Sequence, residues 1–304
     1  MIDLRLLHTL RVLAEHGTVN AAARTLCLSP SAVSQQLRQL ARETGADLLE
    51  RDGRRVRLTP AAHVLLEHAD ALFERWERAR ADLRPAGLPD LGTVRMCGFA
   101  GSVGTLLAPA AVLLRRAHPR WEVRVAEVVT TTECHRLLLA DRADIGVLTP
   151  LADSPPADDP RFDRQPLLDD PQDLVVPAGH PLAEREEAEL ADAARETWIA
   201  PHRDQNDLIL ALCTAAGFAP RITHHADEWQ GVLDLIAHGL GVCLVPRLVS
   251  TAGHGGVVRV PLRGDPAPYR RVLACVRRGS RERPPVAEAL EALRAQIRTP
   301  WERR

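Results

Sequence analysis

The sequence predicts a multidomain protein: an all-α segment with a small β-hairpin, followed by a two-lobed α/β segment. Two observations support this division. Apolar residues recur with helical spacing up to residue 83, whereas short strands alternate with helices from Gly92 onward. Between the two patterns lies the stretch Pro-Ala-Gly-Leu-Pro at 85–89, which has the composition of a linker.

The composition is that of an ordinary globular protein of 304 residues, 45% apolar and 26% charged. No run of about 18 apolar residues is available to span a membrane. The N-terminus lacks the basic and apolar regions of a signal peptide. The six cysteines lie at least 30 residues apart and form no CxxC motif, which predicts buried, reduced thiols. We therefore expect a cytoplasmic protein without a membrane segment.

Charge is distributed unevenly along the chain. All 39 basic residues are arginine, and the formal net charge is −1. Residues 1–60 contain nine arginines and six acids, whereas residues 86–304 contain 26 arginines and 29 acids. A basic N-terminal end on an acidic body predicts a local surface for a negatively charged partner.

Three helices are predicted within the first 45 residues. Leucines and valines with helical spacing indicate a first helix to about His16, which Gly17 ends. Thr18 is placed to cap a second helix, Val19 to Leu26. Ser29 is placed to cap a third helix that begins at Pro30, where a missing N–H costs nothing. On that third helix we expect three side chains to face the core: Val33, Leu37 and Leu40.

The outer face of the third helix has no acid before Glu43. Short hydroxyls, an amide and arginines can reach base edges and phosphates from a helix in the major groove. We expect DNA contacts from Pro30, Ser31, Ser34, Gln35, Arg38 and Arg42. Two short helices, a tight turn and such a third helix indicate a helix-turn-helix. The alternative is a small helical bundle with a polar face.

A β-hairpin and a long helix are predicted next. Asp52-Gly53 is a strong turn signal, and the hairpin carries Arg51, Arg54, Arg55 and Arg57. We expect Arg54 and Arg55 to contact DNA phosphates. The following helix carries apolar residues at alternating spacings of three and four, which indicates a seam between two helices. The dimerisation residues predicted from it are Leu65, Ala69, Leu72, Trp76 and Leu83.

The stretch from Leu4 to Ala62 resembles the DNA-binding half of LysR-type transcriptional regulators. The resemblance rests on the paired alanines, the serine-containing turn, "VSQQLRQL" and "GADLLERDGRRVRLTP". Gln35 stands where the family usually has arginine. The resemblance implies a winged helix-turn-helix at 1–59, a linker and dimerisation helix at 60–84, and a hinge at 85–91.

Residues 92–304 read as βαβαβ followed by a second set of strands, which predicts two α/β lobes with a cleft between them. We place lobe 1 at about 92–162 and 268–304, and lobe 2 at about 163–267. "PAGHPLA" and "LIAHGLGVCLVP" resemble stretches of the effector-binding domain of the same regulators, which is similar to periplasmic binding proteins. That resemblance implies a small-molecule effector in the cleft.

Five residues are predicted to line the cleft: Ser102, Thr130, Thr131, Arg203 and Trp229. Helix N-termini at Ser102 and Thr131, with Arg203 opposite, favour an anionic effector. Each residue has an ordinary alternative. The hydroxyls can simply cap helices, Arg203 can be a surface charge, and Trp229 can belong to the core.

Three other classes of protein were weighed. An enzyme is disfavoured because Gly101-Ser102-Val103-Gly104 lacks the GxSxG spacing and no HExxH follows His224-His225. A solute-binding protein does not explain the helix-turn-helix, and an architectural DNA binder needs no cleft. We expect a ligand-responsive transcription regulator without catalytic activity, cofactor or metal. The expected partners are a double-stranded DNA operator, a small effector and further copies of the chain, as dimer or tetramer, with contact to RNA polymerase left open.

Overall fold

The computed structural model describes residues 3–52, 55–83, 92–151, 154–201, 203–264 and 267–297. Its helices are α1 Leu4–His16, α2 Val19–Leu26, α3 Pro30–Thr44, α4 Pro60–Asp82, α5 Ala100–Ser102, α6 Ala108–Ala117, α7 Thr131–Leu139, α8 Arg203–Ala215, α9 Trp229–Ala237 and α10 Pro284–Ile297. Its strands are β1 Leu49–Asp52, β2 Arg55–Leu58, β3 Thr93–Gly98, β4 Glu122–Glu127, β5 Ile145–Leu148, β6 Phe162–Pro177, β7 Thr197–Ala200, β8 Arg221–His225, β9 Cys243–Pro246, β10 Val257–Val260 and β11 Tyr269–Arg277.

The N-terminal head, α1 to β2, confirms the three predicted helices and the hairpin. Thr18 and Ser29 accept hydrogen bonds from backbone N–H groups three residues on, at 3.2 and 3.1 Å. Gly17 and Gly45 end α1 and α3 in the left-handed conformation. The buried side chains of α3 are Val33, Leu37 and Leu40, as predicted.

The α/β part is built on a sheet that one long strand carries from lobe 1 into lobe 2. In lobe 1 the order is β4-β3-β5-β11-β6, and the first half of β6 pairs antiparallel with β11. From Gln172 onward β6 pairs with β9, and from Leu174 also with β10. The predicted return strand is β11, which lies between β5 and β6. The sequence predicted only 173–177 of β6, because its first half alternates charged and apolar residues without a clear boundary.

Lobe 2 adds the parallel pair β7-β8. Its core contains Trp198, Ile199 and Val245, all without exposed surface. Helix α10, which the sequence analysis did not predict, returns to pack against α6 in the core of lobe 1. The predicted domain boundaries stay predictions, since the hinge at 85–91 falls outside the described residues. Among the described residues, no helix has both the length and the apolar character that crossing a bilayer requires.

The second half of α4 is fastened to lobe 1 by a buried cluster of charges. Glu77 and Asp144, 6% and 1% exposed, accept hydrogen bonds from Arg277 and Arg283. Arg277 also donates to the carbonyl oxygens of Leu138, at 2.8 Å, and of Ala143. The backbones approach closely, because a Cβ at Gly279 would meet the Glu74 carbonyl oxygen at 2.5 Å. The second half of α4 is therefore held in direct contact with lobe 1.

We predict that this cluster makes stability depend on pH below about 4. Burial raises the pKa of Asp144, but hydrogen bonds from Arg95 and the charges of Arg277 and Arg283 outweigh burial and lower it to about 2. Because the folded pKa lies below the unfolded value of 3.8, ionised Asp144 contributes full stability above pH 3.8. That contribution, about 2.5 kcal/mol, is lost as the pH falls towards 2.

Urea unfolding at several pH values tests this prediction. Asp144→Asn removes one of the two buried acids bonded to Arg277 and Arg283, so we expect it to lower stability at pH 7 by about 3 kcal/mol. The variant should also flatten the decline between pH 4 and 2. The exposed carboxylate of Asp158 offers a matched control, Asp158→Asn. Equal pH profiles for wild type and Asp144→Asn would contradict the prediction.

Candidate DNA-binding surface and ligand cleft

Helix α3 presents its polar face to solvent, clear of the rest of the chain. Pro30, Ser31, Gln35, Arg38 and Arg42 are exposed. Ser34 is half-buried, and its hydroxyl donates to the Pro30 carbonyl oxygen at 2.9 Å. Ser31 Oγ lies 2.9 Å from Ser29 Oγ, within the cap of the helix. The long side chains are therefore the freer ones for base edges.

Three neighbouring glutamines on α3 have different environments. Gln35 is exposed, whereas Gln36 accepts a hydrogen bond from the Thr9 hydroxyl of α1 at 2.5 Å. Gln39 donates to Glu43 at 2.9 Å. The side chain of Gln36 thus fastens α3 to α1, and that of Gln35 is available to a partner.

The structure describes only part of the predicted β-hairpin. Strands β1 and β2 pair antiparallel, and Arg57 forms an ion pair with Glu50 across them, with Nη2 to Oε1 at 2.6 Å. Arg54 and the side chain of Arg55 lie outside the described residues, as does the side chain of Arg51. Their phosphate contacts stay a prediction.

The apolar seam predicted on α4 is divided between two surfaces. Ala62 and Ala69 have no exposed surface, because they pack into the core of the head. Ala69 therefore cannot contribute to a dimer contact, and the predicted seam is corrected at this position. Leu65 is half-buried, while Leu72, Trp76 and Leu83 are 46%, 47% and 69% exposed. Taking 100° per residue, these three exposed residues lie about 20° to 60° further round the helix than Ala69.

A cleft of about 700 Å³ separates the two lobes. Thr130, Thr131 and Trp229 line it, as predicted, and Thr130 accepts a hydrogen bond from Glu133 N as the cap of α7. Apolar walls are supplied by Phe99, Val128, Val147, Leu148, Leu208 and Tyr269. Exposed acids, Glu127, Asp227 and Glu228, stand at its rim.

The outcome is different for the predicted cleft residues Ser102 and Arg203. Ser102 is fully buried and does not line the cleft; its hydroxyl donates to the Phe99 carbonyl oxygen at 2.7 Å. Helix α5 has only three residues, and this bond turns Ser102 back into the chain. The prediction for Ser102 is therefore wrong. Arg203 begins α8, but its side chain lies outside the described residues.

The floor of the cleft holds a buried polar network that the sequence analysis missed. Arg270 Nε donates to Asp170 Oδ2 at 2.9 Å, and its Nη1 lies 3.4 Å from Gln205 Oε1. Gln205 donates in turn to Gln172 at 2.6 Å. The guanidinium lies over the ring of Phe99, 4.6 Å from its centroid. A charged residue at the start of an otherwise apolar strand, "YRRVLACV", was the available signal.

The Arg270–Asp170 pair is electrostatically strained and incompletely bonded. Burial raises the pKa of the Asp170 carboxyl and lowers the pKa of the Arg270 guanidinium, although each stabilises the other's charge. Arg270 Nη2 lies 2.9 Å from Asp170 Oδ2, yet it is buried and makes no hydrogen bond within the described structure. The oxygen beside this atom is that of Asp170, so the two groups make an ion pair without a hydrogen bond at Nη2.

Metal chemistry has no support in the described residues, where no group of three His, Cys, Asp or Glu side chains could hold an ion. All six cysteines are free thiols, and Cys27 in the head is the exposed one. Cys97 and Cys134 bring their sulfur atoms within 3.5 Å. This close thiol pair joins residues 37 positions apart, which no local motif could have indicated.

Comparison with known proteins gives concordant matches to both halves of the chain. Residues 4–63 match the family model for bacterial regulatory helix-turn-helix proteins of the lysR family, and residues 89–298 match the LysR substrate binding domain. The chain is 30% identical to the HTH-type transcriptional regulator AlsR of Bacillus subtilis over 81% of its length and 80% of that protein. It is 29% identical to the DNA-binding transcriptional dual regulator OxyR of Escherichia coli over 97% and 96%.

Solved structures share the fold along nearly the whole chain. A full-length OxyR variant from Pseudomonas aeruginosa superposes with a TM-score of 0.67 at 21% identity, covering 98% of each chain. Full-length CbnR in complex with its target DNA gives a TM-score of 0.58 at 22% identity, covering 97% of this chain and 99% of that one.

The exposed face of α3 predicts which side chains select bases. We expect Gln35→Ala to change the preferred sequence in a binding-site selection from random DNA, because its amide can bond base edges. Arg42→Ala should weaken binding to all sequences by about threefold to tenfold and reduce the salt dependence of binding. Gln39→Ala is the matched control and should alter neither. An unchanged selected sequence for Gln35→Ala would contradict this assignment.

The exposed stripe on α4 predicts the position of the dimer contact. Leu72→Glu places a charge between two apolar faces, so we expect sedimentation velocity to show dissociation at micromolar concentration. Ala71→Glu adds the same charge about a quarter turn away and should leave the oligomer intact. If Leu72→Glu sediments like the wild type, the seam lies elsewhere.

Proposed function

Because this chain belongs to the LysR family of DNA-binding transcription regulators, with an effector-binding domain, we propose that its effector is a small organic carboxylate bound over Arg270. The observation that carries the proposal is the place of Arg270 in the lining of the cleft, where its buried Nη2 lies 2.9 Å from Asp170 Oδ2 and makes no hydrogen bond in the described structure. A carboxylate oxygen is the acceptor that an arginine binds most strongly.

The other end of the carboxylate site is the N-terminus of α7. A helix start presents N–H groups without an intrahelical partner and about half a positive charge, so it favours an anion. Thr130 and Thr131 place this helix start in the wall of the cleft. This replaces the earlier set of anion ligands: Arg270 and Gln205 take the place of Ser102, and Arg203 stays a proposed contact.

The body of the effector should be apolar and compact. The walls are formed by aliphatic and aromatic side chains, including Phe99, Leu208 and Trp229, and a volume of about 700 Å³ suits a molecule of drug size or smaller. Acids at the rim disfavour a second carboxylate at the mouth of the cleft, where Glu127, Asp227 and Glu228 are exposed. We therefore propose a monocarboxylate with an aromatic or branched aliphatic body.

We further propose that the cleft is not catalytic and that the protein acts in the cytoplasm, as a dimer or tetramer. The relatives are transcriptional regulators. The Thr131 hydroxyl donates to the Thr149 carbonyl oxygen, and the hydrogen bond to Cys97, together with burial, raises the pKa of the Cys134 thiol. Neither group is activated as a nucleophile. Contact with RNA polymerase follows from the regulatory role and stays a proposal.

Peroxide sensing, which the names of several relatives describe, is not proposed for this chain. A thiol reacts with peroxide as thiolate and needs access to solvent. Five of the six cysteines are buried, and burial raises the pKa of Cys213 and of Cys275 to about 12. The exposed Cys27 lies at the end of α2 in the DNA-binding head, far from the cleft residues in sequence.

Calorimetry with a matched series of acids and amides tests the carboxylate proposal. Benzoate, cinnamate and 3-methylbutanoate are compared with the corresponding uncharged amides. We expect at least one acid to bind and its amide to bind about 10-fold to 100-fold more weakly, the difference made by a charge-assisted hydrogen bond. Arg270→Gln should remove that preference for the acid.

Two further variants separate binding from folding. Arg263→Gln changes an exposed arginine outside the cleft, which is paired with Glu189, and should retain the preference for the acid. Gln205→Ala leaves the Arg270–Asp170 pair intact and should weaken acid binding by a smaller factor. Equal affinity for acids and amides, or no binding across the series, would reject the carboxylate.

A further inference from the structure

We infer that helix α7 and Arg11 connect the ligand cleft to the DNA-binding head, so that Arg11 is the residue that positions the head according to the state of the cleft. The inference rests on the cleft being the effector site. Helix α7 spans nine residues, about 13 Å, and its two ends lie at the two functional surfaces. Its N-terminus lines the cleft, and its C-terminus contacts the head of the same chain.

At the cleft end, three residues of the first turn face the ligand region. Thr130, Thr131 and Cys134 line the cleft, and the Thr131 hydroxyl donates to the Thr149 carbonyl oxygen at 2.9 Å. Thr149 also lines the cleft, just after β5. A ligand seated on this helix start therefore competes with or displaces the contact that holds α7 to the neighbouring strand.

At the head end, the contacts come from three points around the end of α7. Arg11 Nη2 donates to the Leu139 carbonyl oxygen at 2.9 Å, and Ala140 packs into the core of the head. Arg142 Nη1 donates to the Thr25 carbonyl oxygen at 3.0 Å and lies 3.1 Å from Cys27 Sγ. Thr25 and Cys27 flank the end of α2, immediately before the cap of α3. A displacement of α7 thus reaches the end of α2, which immediately precedes α3.

A second ion pair joins the same two bodies. Arg161 of lobe 1 donates to Glu15 of α1, and Asp159 holds the Arg161 guanidinium with hydrogen bonds at 2.8 to 3.3 Å. These residues lie on the same side of the head as Arg11. The charges of Arg161, Asp159 and Glu15 act on Asp70, which is the ion-pair partner of Arg11. The docked position is therefore held by charged groups from both bodies.

Arg11 is buried between α4 and the end of α7. It is 6% exposed, and burial lowers its pKa to about 10. Its guanidinium lies 3.8 Å from the ring centroid of Phe73 and 3.8 Å from Asp70 Oδ1, a loose ion pair. Its close hydrogen bond is to a carbonyl of the last turn of α7, where the helix dipole favours a cation. A shift of α7 changes the 2.9 Å hydrogen bond to Leu139, the closest of the contacts that offset this burial.

The middle of α7 is packed too tightly to absorb a displacement. A Cβ at Gly146 of β5 would meet Cys134 Sγ at 2.3 Å, so strand and helix are in direct contact. Cys97 Sγ lies 3.5 Å from Cys134 Sγ, and Leu138 has no exposed surface. Close-packed interiors transmit strain, and a helix of this length is stiff. A displacement at one end of α7 is therefore passed along the helix and not absorbed within it.

A double-mutant cycle followed by hydrogen exchange tests the connection without an effector. Thr131→Val removes the hydroxyl at the cleft end, and Arg142→Ala removes an exposed side chain at the head end. Backbone exchange is measured by mass spectrometry in peptides covering α2 and the turn before α3. We expect Arg142→Ala alone to raise exchange there by about fivefold, the effect of losing a hydrogen bond.

The coupling between the cleft end and the head end of α7 is measured by hydrogen exchange in the double variant Thr131→Val, Arg142→Ala. Thr131→Val alone should raise exchange of the head peptides, and it should add little in the Arg142→Ala background, because the connection is already broken. Arg195→Ala is the matched control: an exposed arginine of lobe 2 is removed, and Thr131→Val should keep its full effect in that background. Additive effects in both backgrounds, or a Thr131→Val effect confined to cleft peptides, would overturn the inference.

Arg11 itself is tested by two replacements. Arg11→Met keeps the length of the side chain and removes its donors, and Arg11→Lys retains one donor for the Leu139 carbonyl oxygen. We expect the Lys variant to restore most of the coupling that the Met variant loses, whereas a purely space-filling role would make the two equivalent. If Arg11→Met does not fold, Glu15→Gln breaks the second contact and serves in the same cycle. Failure to find a carboxylate ligand would leave this result unaffected.

Discussion

The guanidinium of Arg277 is the contact on which the arrangement of the whole chain depends. It donates to Glu77 of the linker helix, to Leu138 at the end of α7 and to Asp144 just before β5. One buried cation thus joins α4, the helix behind the cleft and the central sheet of lobe 1. A buried cation is tolerated only when its hydrogen bonds are satisfied, so these elements cannot separate without exposing an unpaired charge. The orientation of the exposed stripe on α4 relative to the cleft is fixed by this requirement.

The requirement that a buried cation have satisfied hydrogen bonds is met less completely at the cleft. Arg270 and Asp170 come from the two strands that run between the lobes, and they form an ion pair of 2.9 Å in which Arg270 Nη2 makes no hydrogen bond within the described structure. The charge cluster at Arg277 is enclosed, whereas Arg270 also lines the cleft. This difference motivates the proposed carboxylate site.

The head combines a fixed inner face with a free outer face. The inner face of α3 is held by Val33, Leu37 and Leu40 and by the bond from Thr9 to Gln36. The outer face has exposed arginines and no acid before Glu43, which suits a polyanion. The head also rests on lobe 1 through Arg11, Arg142 and Glu15. These docking contacts lie away from the exposed face of α3.

The sequence by itself determined the elements of the head, the class of fold and the family, because helix caps, turn residues and apolar periodicity are local signals. It also placed Thr130, Thr131 and Trp229 at the cleft, since the carboxyl ends of parallel strands meet at one edge. Tertiary structure alone decided three matters. Ala69 faces inward because one side of α4 packs into the core of the head. Ser102 does not line the cleft because its hydroxyl donates to the Phe99 carbonyl oxygen at the start of the short helix α5. Arg270, Asp170 and Gln205 converge from positions up to 100 residues apart, and Arg11 meets Leu139 across 128. Charge pairs of this kind have no periodicity, and their partners become evident only when the strands and domains are assembled.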